Sequence, residues 1–433
     1  MERAGARRTY ICIDLKSFYA SVECSDRGLD PFATDLVVAD PERSTNTICL
    51  AITPSLKAKG VRNRCRLRDI PEDMAYITAV PRMRRYMEVS AEIYRTYLEF
   101  VSAEDTWPYS IDECFIDATP YLVLYGMDAR SFARQLIARV RERTGIAATA
   151  GIGPNMFLCK VALDVMAKHA DDGIGELDDE SFRREVWFHR PLTDIWGIGH
   201  GIAGRLAKRG IYDLAGICAE CPEILRGEFG KNAEVLIDHA WGLESATIAD
   251  CRNYVPHAHS LTNGQVLMRD YTFEEARTIA REMIFGSCMD LAEKYLACDT
   301  VGLWVGYSGS ILRGWDGVGE PPALHGGGQR RLGCITASES KIAAALMALF
   351  DETISRRAPI RRVNISLMGV VPRHLAAPTL FDDREALERE ERLAQASVAV
   401  RKRFGANALL RGTSLMPEAN ARERNRQIGG HRA

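Results

Sequence analysis

Asp14 closes an apolar run at residues 9–14 (TYICID), and Asp112 with Glu113 occupies the turn inside a second apolar stretch, residues 106–117. Alternation in the first run predicts a strand, and the second reads as two short strands around a turn that also carries Ser110. If those strands are neighbours, three carboxylates converge. Like charges at such range raise one another's pKa unless a cation neutralises them, and the natural occupant is a hard divalent ion with oxygen ligands, magnesium foremost. Two such ions stabilise the attacking and leaving oxygens of an in-line displacement at phosphorus, so the chemistry permitted is phosphoryl transfer. For any one of the acids taken alone, the plainer alternative is a turn carboxylate capping backbone N–H groups.

Such acids need a frame. Residues 17–24 have helical spacing, 84–101 and 128–143 read as helices, 147–152 as a strand and 155–170 as a helix, with Gly151, Gly153 and Pro154 at the join. One α/β domain is expected, interrupted by a basic segment. From Arg43 to Arg68 that segment has seven basic residues and no acidic one, six of them being Lys57, Lys59, Arg62, Arg64, Arg66 and Arg68. A solvated surface is the plainer account of such a run. Past residue 191 (LTDIWGIG, then a helix over 202–208) the texture is that of a small helical domain. Beyond residue 253 the order reads strand (259–268), helix (273–297), strand (301–308), strand (330–337), helix (340–355), strand (362–370). That is the split βαβ pattern, a four-stranded sheet with helices on one face. Residues 314–328, rich in Gly and Pro, would form its hairpin loop, and a charged helix over 382–404 opens a polar, basic tail.

At 433 residues the chain exceeds one core, and about three domains are expected. With 46% hydrophobic and 26% charged residues, the composition is neither that of a disordered nor of a membrane-embedded chain. No apolar stretch reaches the roughly 18 residues of a membrane span, and the basic N-terminus is unlike a signal peptide, so a cytoplasmic protein is expected. The twelve cysteines are scattered singly and read as reduced; Cys218 and Cys221 come closest in sequence but lack two further ligands for zinc. A net charge of -2 does not by itself advertise nucleic-acid binding.

The blocks DLKSFYASVE (14–23) and SIDECFID (110–117) resemble the two palm motifs of Y-family DNA polymerases, the translesion class. The likeness runs in order and spacing through residues 10–371. GIGPNMFLCKVALDVMAK (151–168) resembles the third palm block, Trp196-Gly197-Ile198-Gly199 the helix-hairpin-helix of the thumb, and the split βαβ region the little finger. The implied fold is a multi-domain α+β right hand: a ferredoxin-like palm (1–25 and 78–172), small fingers (26–77), a helical thumb with helix-hairpin-helix (173–248), a βαββαβ little finger (253–372) and a C-terminal tail (373–433). The fingers and the end of the chain are similar to the UmuC-like branch of Gram-positive bacteria and their mobile elements.

By this resemblance the activity is template-directed, low-fidelity DNA synthesis past damage, a nucleotidyl transfer from a dNTP to the 3′-hydroxyl of a primer-template, assisted by two Mg2+ ions. Asp14 and Asp112 would hold both ions, Glu113 would complete the primer-side one, and the Leu15 carbonyl would be a further ligand. Tyr19 falls at the steric gate that excludes a 2′-hydroxyl, with Phe18 before it. Lys160 matches the palm lysine that contacts the triphosphate. Lys57 falls where many relatives have an arginine with the same task, Pro54 where they have a tyrosine, and Arg64 in place of a common glycine; Ser55 or Lys59 could compensate. Arg62 and Arg64, with Gly197 and Gly199, are expected DNA contacts, the glycines letting backbone N–H groups approach a phosphate. Residues 377–381 (APTLF) resemble the sliding-clamp peptide, with Ala377 for its leading glutamine and Leu380 and Phe381 as anchors. Two other readings stay open: a non-catalytic DNA-binding adaptor of the same fold, which would lack such acids, and a nucleotide cyclase, which leaves the helix-hairpin-helix and little finger unexplained.

Overall fold

The alternating run that ends on Asp14 forms β1 (Tyr10–Leu15), the middle strand of the first of two units, Met1–Tyr254 and Val255–Arg432. The computed structural model describes residues 8–43, 46–168, 170–256, 259–314 and 322–433; most of the N-terminal basic run and much of the loop expected at 314–328 lie outside them.

From β1 the chain turns through Ser17, in the left-handed region at φ 49, into α1 (Phe18–Ser25). A small sheet follows, made of β2 (Leu36–Val38), β3 (Ala51–Ile52) and, after α2 (Pro54–Ala58), β4 (Ile77–Ala79), in the order β3-β2-β4. Next come α3 (Met83–Tyr97), β5 (Thr106–Pro108), β6 (Glu113–Asp117), α4 (Thr119–Tyr125), α5 (Ala129–Thr144), β7 (Ala148–Gly153), α6 (Met156–Val161) and β8 (Ile174–Glu176). The larger sheet runs β5-β6-β1-β7-β8, with β1 antiparallel to both neighbours. Because side chains alternate along a strand, Tyr10 and Cys12 pack with Met156, Cys159 and Leu163, while the fully buried Ile11 and Ile13 fill the other face. Each such isoleucine contributes roughly 1.5–3 kcal/mol. The helix expected over 155–170 is α6 followed by a turn of π-helix, Ala162–Met166, a local bulge that frequents functional sites.

Six helices complete the unit: α7 (Asp179–Glu185), α8 (His200–Ala207), α9 (Leu214–Ala219), α10 (Pro222–Phe229), α11 (Asn232–Ala240) and α12 (Ile248–Asn253). They bury Phe182, Leu206, Leu225 and Leu236 in one cluster with Phe157, Leu158 and Val161 of α6. The helix that backs the sheet is therefore also the anchor of the helical part.

In the second unit β9 (Ser260–Tyr271), α13 (Phe273–Glu293), β10 (Leu296–Tyr307), β11 (His325–Thr336), α14 (Glu339–Thr353) and β12 (Ile360–Met368) follow the expected βαββαβ order, with the sheet running β11-β10-β12-β9. Val301, Leu303 and Val305 turn toward Ile279, Met283, Leu346 and Phe350 of the two helices, and Trp304 points to the open face. Strand β11 begins at His325 rather than 330: Gly326, Gly327 and Gly328 read as loop, yet they pair with Val305, Trp304 and Leu303. Pairing overrides their weak intrinsic preference. A short β13 (Val371–Pro372) adds to β10.

The segment read as a polar tail is packed. Along α13 lies α15 (Arg384–Phe404), where Met289, Ala292 and Val398 bury one another, Gln395 Nε2 donates to Ala292 O at 3.1 Å and Lys402 pairs with Glu293 at 3.2 Å. The chain returns through α16 (Ala421–Arg424) to a ribbon of β14 (Gln427–Ile428) and β15 (His431–Arg432). The apolar stripe of α15 is too narrow to stand out among its Glu and Arg residues. Among the described residues no helix is long and apolar enough to cross a membrane.

Candidate active site

Strand register brings the three acids together. Asp14 of β1 lies directly across from Glu113 of β6, and the Leu15 N–H donates to the Asp112 carbonyl at 3.0 Å. Ser110 holds the turn: its Oγ donates to Asp112 Oδ1 at 2.6 Å and accepts from the Glu113 N–H at 3.0 Å. Burial, then the charges of Glu113 and Asp112, push the Asp14 carboxyl up from its ordinary value to about 7, against the opposing pull of Lys160. At neutral pH this group is short of positive charge. Among the described residues no three acid, His or Cys side chains already form a ligand cluster, and Glu113 Oε1 accepts from Lys160 Nζ at 2.8 Å. Directly paired backbones place the carboxylates within side-chain rotation of one another. An all-oxygen donor set with excess negative charge fits a hard divalent ion.

Lys160 owes its place to two glycines. A Cβ on Gly151 would stand 2.0 Å from the Cys159 carbonyl oxygen, and one on Gly153 2.5 Å from the Cys159 nitrogen, so only glycine lets α6 lie on β7. Lys160 is 5% exposed, and its Nζ reaches Asp164 Oδ1 at 2.9 Å as well as Glu113. Burial disfavours its charge, but Asp164 and Glu113 outweigh that and hold its pKa above the ordinary value. Asp164, on the π-helical turn, escaped the sequence reading; the signal available was its (i, i+4) spacing from Lys160. Lys168 escaped it too, although it ends the block quoted at 151–168. It is exposed, as is Lys57 by surface area. The Lys57 ammonium nonetheless sits where lost hydration is the largest influence and lowers its pKa; Asp14 opposes that shift and Lys168 adds to it. Lys57 thus faces Asp14, with Lys168 close beside it.

Behind the acids lies an aromatic wall. Phe18 is buried, and the part-exposed Tyr19 ring packs against it at 5.6 Å and against Tyr86 at 4.8 Å. Tyr86 is fully buried and donates through its hydroxyl to Glu23 Oε1 at 2.8 Å, a buried carboxylate that also accepts from Arg82 Nε at 2.9 Å and from Arg27. Burial raises the Tyr19 pKa, Asp112 raises it further and Arg64 lowers it, so the phenol faces both. Arg64 stands exposed at φ 58, a left-handed conformation that explains why glycine would be common there. Arg62 is also exposed. Ser17 Oγ, at the start of α1, is buried with no hydrogen-bond partner.

The remaining expected residues lie elsewhere. Gly197, at φ 87, and Gly199 precede α8, and a Cβ on either would meet no atom within 4 Å. In the second unit Leu380 and Phe381 are each 99% exposed. Their turn is pinned by Asp382, which accepts from the Thr379 N–H at 2.6 Å and pairs with Lys341 at 2.7 Å.

Comparison with known proteins matches the impB/mucB/samB family over residues 13–164 and the C-terminal domain of that family over residues 258–379. The chain is 30% identical to a putative UV-damage repair protein, UvrX, of Bacillus subtilis (strain 168), across 99% of this chain and 98% of that protein. It is 29% identical to DNA polymerase IV 2 of the same organism, across 97% of each. A solved Y-family DNA polymerase chimera, Dbh-Dpo4(243-245)-Dbh, shares the fold at a TM-score of 0.62 and 19% identity, covering 84% of this chain and 99% of that one.

Proposed function

This chain belongs to the impB/mucB/samB family, the UmuC-like Y-family polymerases, and from that premise we propose that it is a DNA-directed DNA polymerase that copies past damaged template bases. The observation that carries the reading is the register of Asp14 against Glu113 with Asp112 bonded to Leu15, three acids at one strand end with an unmet need for positive charge. Two Mg2+ ions, when bound there, would supply charge stabilisation at the attacking 3′-oxygen and at the leaving pyrophosphate oxygen.

Asp14, Asp112 and the Leu15 carbonyl are the residues to hold those ions, with Glu113 completing the primer-side site. Lys57, exposed and facing Asp14, with the exposed Lys168 beside it, is better placed for a triphosphate than Lys160, which serves Glu113 as a buried positioning partner. The unpartnered Ser17 hydroxyl and the free N–H groups at the start of α1 add donors for the same phosphates. Tyr19, backed by Tyr86, stands as the steric gate. Residues 1–25 and 78–172 then form the palm, 26–77 the fingers, 173–248 the thumb, 253–372 the little finger and 373–433 the C-terminal segment. Gly197 and Gly199 offer a phosphate grip, Arg62 and Arg64 contact DNA or nucleotide from the fingers, and the exposed Leu380–Phe381 pair is a clamp anchor.

A non-catalytic adaptor has no use for three converging acids. Primer extension with Mg2+ and dNTPs tests the reading: Asp112→Ala removes several kcal/mol of charge stabilisation and should slow extension by at least about 10³-fold. Absence of extension by the wild type, or equal extension by the variant, would sink it.

A further inference from the structure

Cys49 and Cys65 are far apart in sequence, and the fold places their sulfurs 3.9 Å from each other. The backbone makes this pairing. The Cys49 N–H donates to the Cys65 carbonyl at 2.8 Å, the Leu67 N–H donates to the Thr47 carbonyl at 3.0 Å, and Ile48 bridges Arg66 in antiparallel fashion between them. A hydrogen-bonded antiparallel pair has Cα atoms about 5.5 Å apart, inside the span a disulfide needs, and Cys49 and Cys65 share one of the two bonds of such a pair, the Cys65 N–H donating instead to the Arg62 carbonyl at 3.3 Å. The sulfurs would have to close by roughly 2 Å, within reach of a χ1 adjustment.

Their surroundings differ. Cys49 is fully buried with Val37, Ile52, Leu56, Val61 and Ile70, and Cys65 is partly exposed between Arg64 and Arg66. We propose that Cys49 and Cys65 are an oxidisable thiol pair that forms a reversible disulfide on reaction with a hydroperoxide. Cys65, the sulfur that solvent reaches, reacts first, and burial, then the neighbouring Cys65, raises the pKa of the Cys49 thiol. As its thiolate, Cys65 attacks one peroxide oxygen; the O–O bond breaks, hydroxide leaves and takes up a proton as water, and Cys65 becomes a sulfenic acid. Cys49 sulfur then attacks Cys65 sulfur, the S–O bond breaks, and the departing hydroxide takes the Cys49 proton as a second water. Two thiols lose two electrons and two protons, and one hydrogen peroxide is reduced to two waters. Dithiothreitol returns both thiols by exchange. The bond would fasten residues 62–66 to the segment at 47–49, next to Arg64, the residue that faces the Tyr19 phenol. A transient, sensing disulfide is the kind a reducing compartment tolerates.

The test uses the full chain treated with a small excess of hydrogen peroxide, alkylated, digested without reduction and examined by mass spectrometry. Expected is a peptide pair joined through Cys49 and Cys65, two hydrogens lighter than the separate thiol peptides and lost after dithiothreitol. In Cys49→Ala the joined pair should vanish and Cys65 should instead be captured by a sulfenic-acid reagent. The proposal is overturned if both cysteines of the wild type are recovered as free thiols while others have oxidised, if Cys65 proceeds to sulfinic acid without a cross-link, or if it joins a different cysteine. The wild-type result stands without any variant and without reference to polymerase activity.

Discussion

The acids of the palm are placed by backbone, whereas the cations of the fingers, Lys57 facing Asp14 and Arg64 facing Tyr19, are placed by very little of it. Asp14 and Glu113 are neighbours in a five-stranded sheet, and Asp112 is tied to Leu15 and Ser110. Lys57 and Arg64 hang from a sheet whose strands have two or three residues, and Arg64 occupies a conformation that L side chains avoid. Like charges gathered at one point repel, so they need a scaffold that cannot yield. Cations that reach for a charged ligand need only length and access, because the ligand completes their positioning.

If the scaffold holds the acids against their own repulsion, that cost should be measurable without any ion. The Asp14 carboxyl binds its proton to about pH 7 in the folded protein and only to about 3.8 when unfolded. Between those values the folded state carries more protons, so stability falls as pH rises from about 4 to 7 and stays low above. The upper bound is about 4 kcal/mol, reduced in practice by the water that reaches the site. Asp14→Asn should therefore raise the melting temperature of metal-free protein at pH 8 and leave it nearly unchanged at pH 4. Adding Mg2+ should raise that of the wild type and not that of the variant. Equal melting of both proteins at pH 8 would mean that the acids are not strained together.

The fingers side calls for a kinetic measurement. Contacts to a charged group contribute about 1.5–3 kcal/mol, so Lys57→Ala, and Lys168→Ala beside it on the palm side, should each raise KM for dNTP about 10- to 100-fold. Lys160→Met should instead act mainly on kcat, through the placement of Glu113. A large KM effect in Lys160→Met alone would restore that residue to the triphosphate and reverse the contrast between buried and exposed cations.

The same contrast explains what the sequence disclosed. The acids, the strand that carries them and the βαββαβ order were legible because period and motif agree there with tertiary structure. Lys160 was noticed as a lysine of a motif, but its burial depends on Gly151 and Gly153 admitting α6 to the sheet, a fact about distance rather than spacing. Lys168 was passed over because its nearness to Lys57, more than a hundred residues earlier, comes from folding and not from spacing. Tyr86 and Cys65 meet Tyr19 and Cys49 only through strand and helix packing, and no local pattern announces either pair. The packing of α15 was hidden by composition, since its few apolar residues sit among long charged ones whose stems also cover surface.

Within the palm itself, the wall behind the proposed gate Tyr19 can be weakened by degrees. Tyr86 supports Tyr19 by ring contact, and Glu23 supports Tyr86 by a hydrogen bond. An aromatic pair is worth about 0.5–1.5 kcal/mol beyond area, so Tyr86→Leu should lower discrimination against ribonucleotides by up to about 10-fold. Tyr86→Phe keeps the ring and should lower it less. Tyr19→Ala removes the gate and sets the limit that neither can exceed. If Tyr86→Leu leaves the ratio of dNTP to rNTP incorporation untouched, the gate is held by other contacts.

The smallest effect should come from the fingers loop, where strain and function can be separated. A left-handed conformation costs an L residue about 1–2 kcal/mol, and glycine returns part of that as greater freedom in the unfolded chain. Arg64→Gly should therefore stabilise the protein by no more than about 1 kcal/mol in equilibrium denaturation, while removing the cation that faces Tyr19. Arg64→Ala removes the same cation and keeps the strain. If both variants bind dNTP more weakly but only the glycine form is more stable, the arginine is retained for its charge at the expense of the backbone. If the glycine form is less stable, the left-handed residue is not strained, and the fingers loop is held as firmly as the sheet that carries the acids.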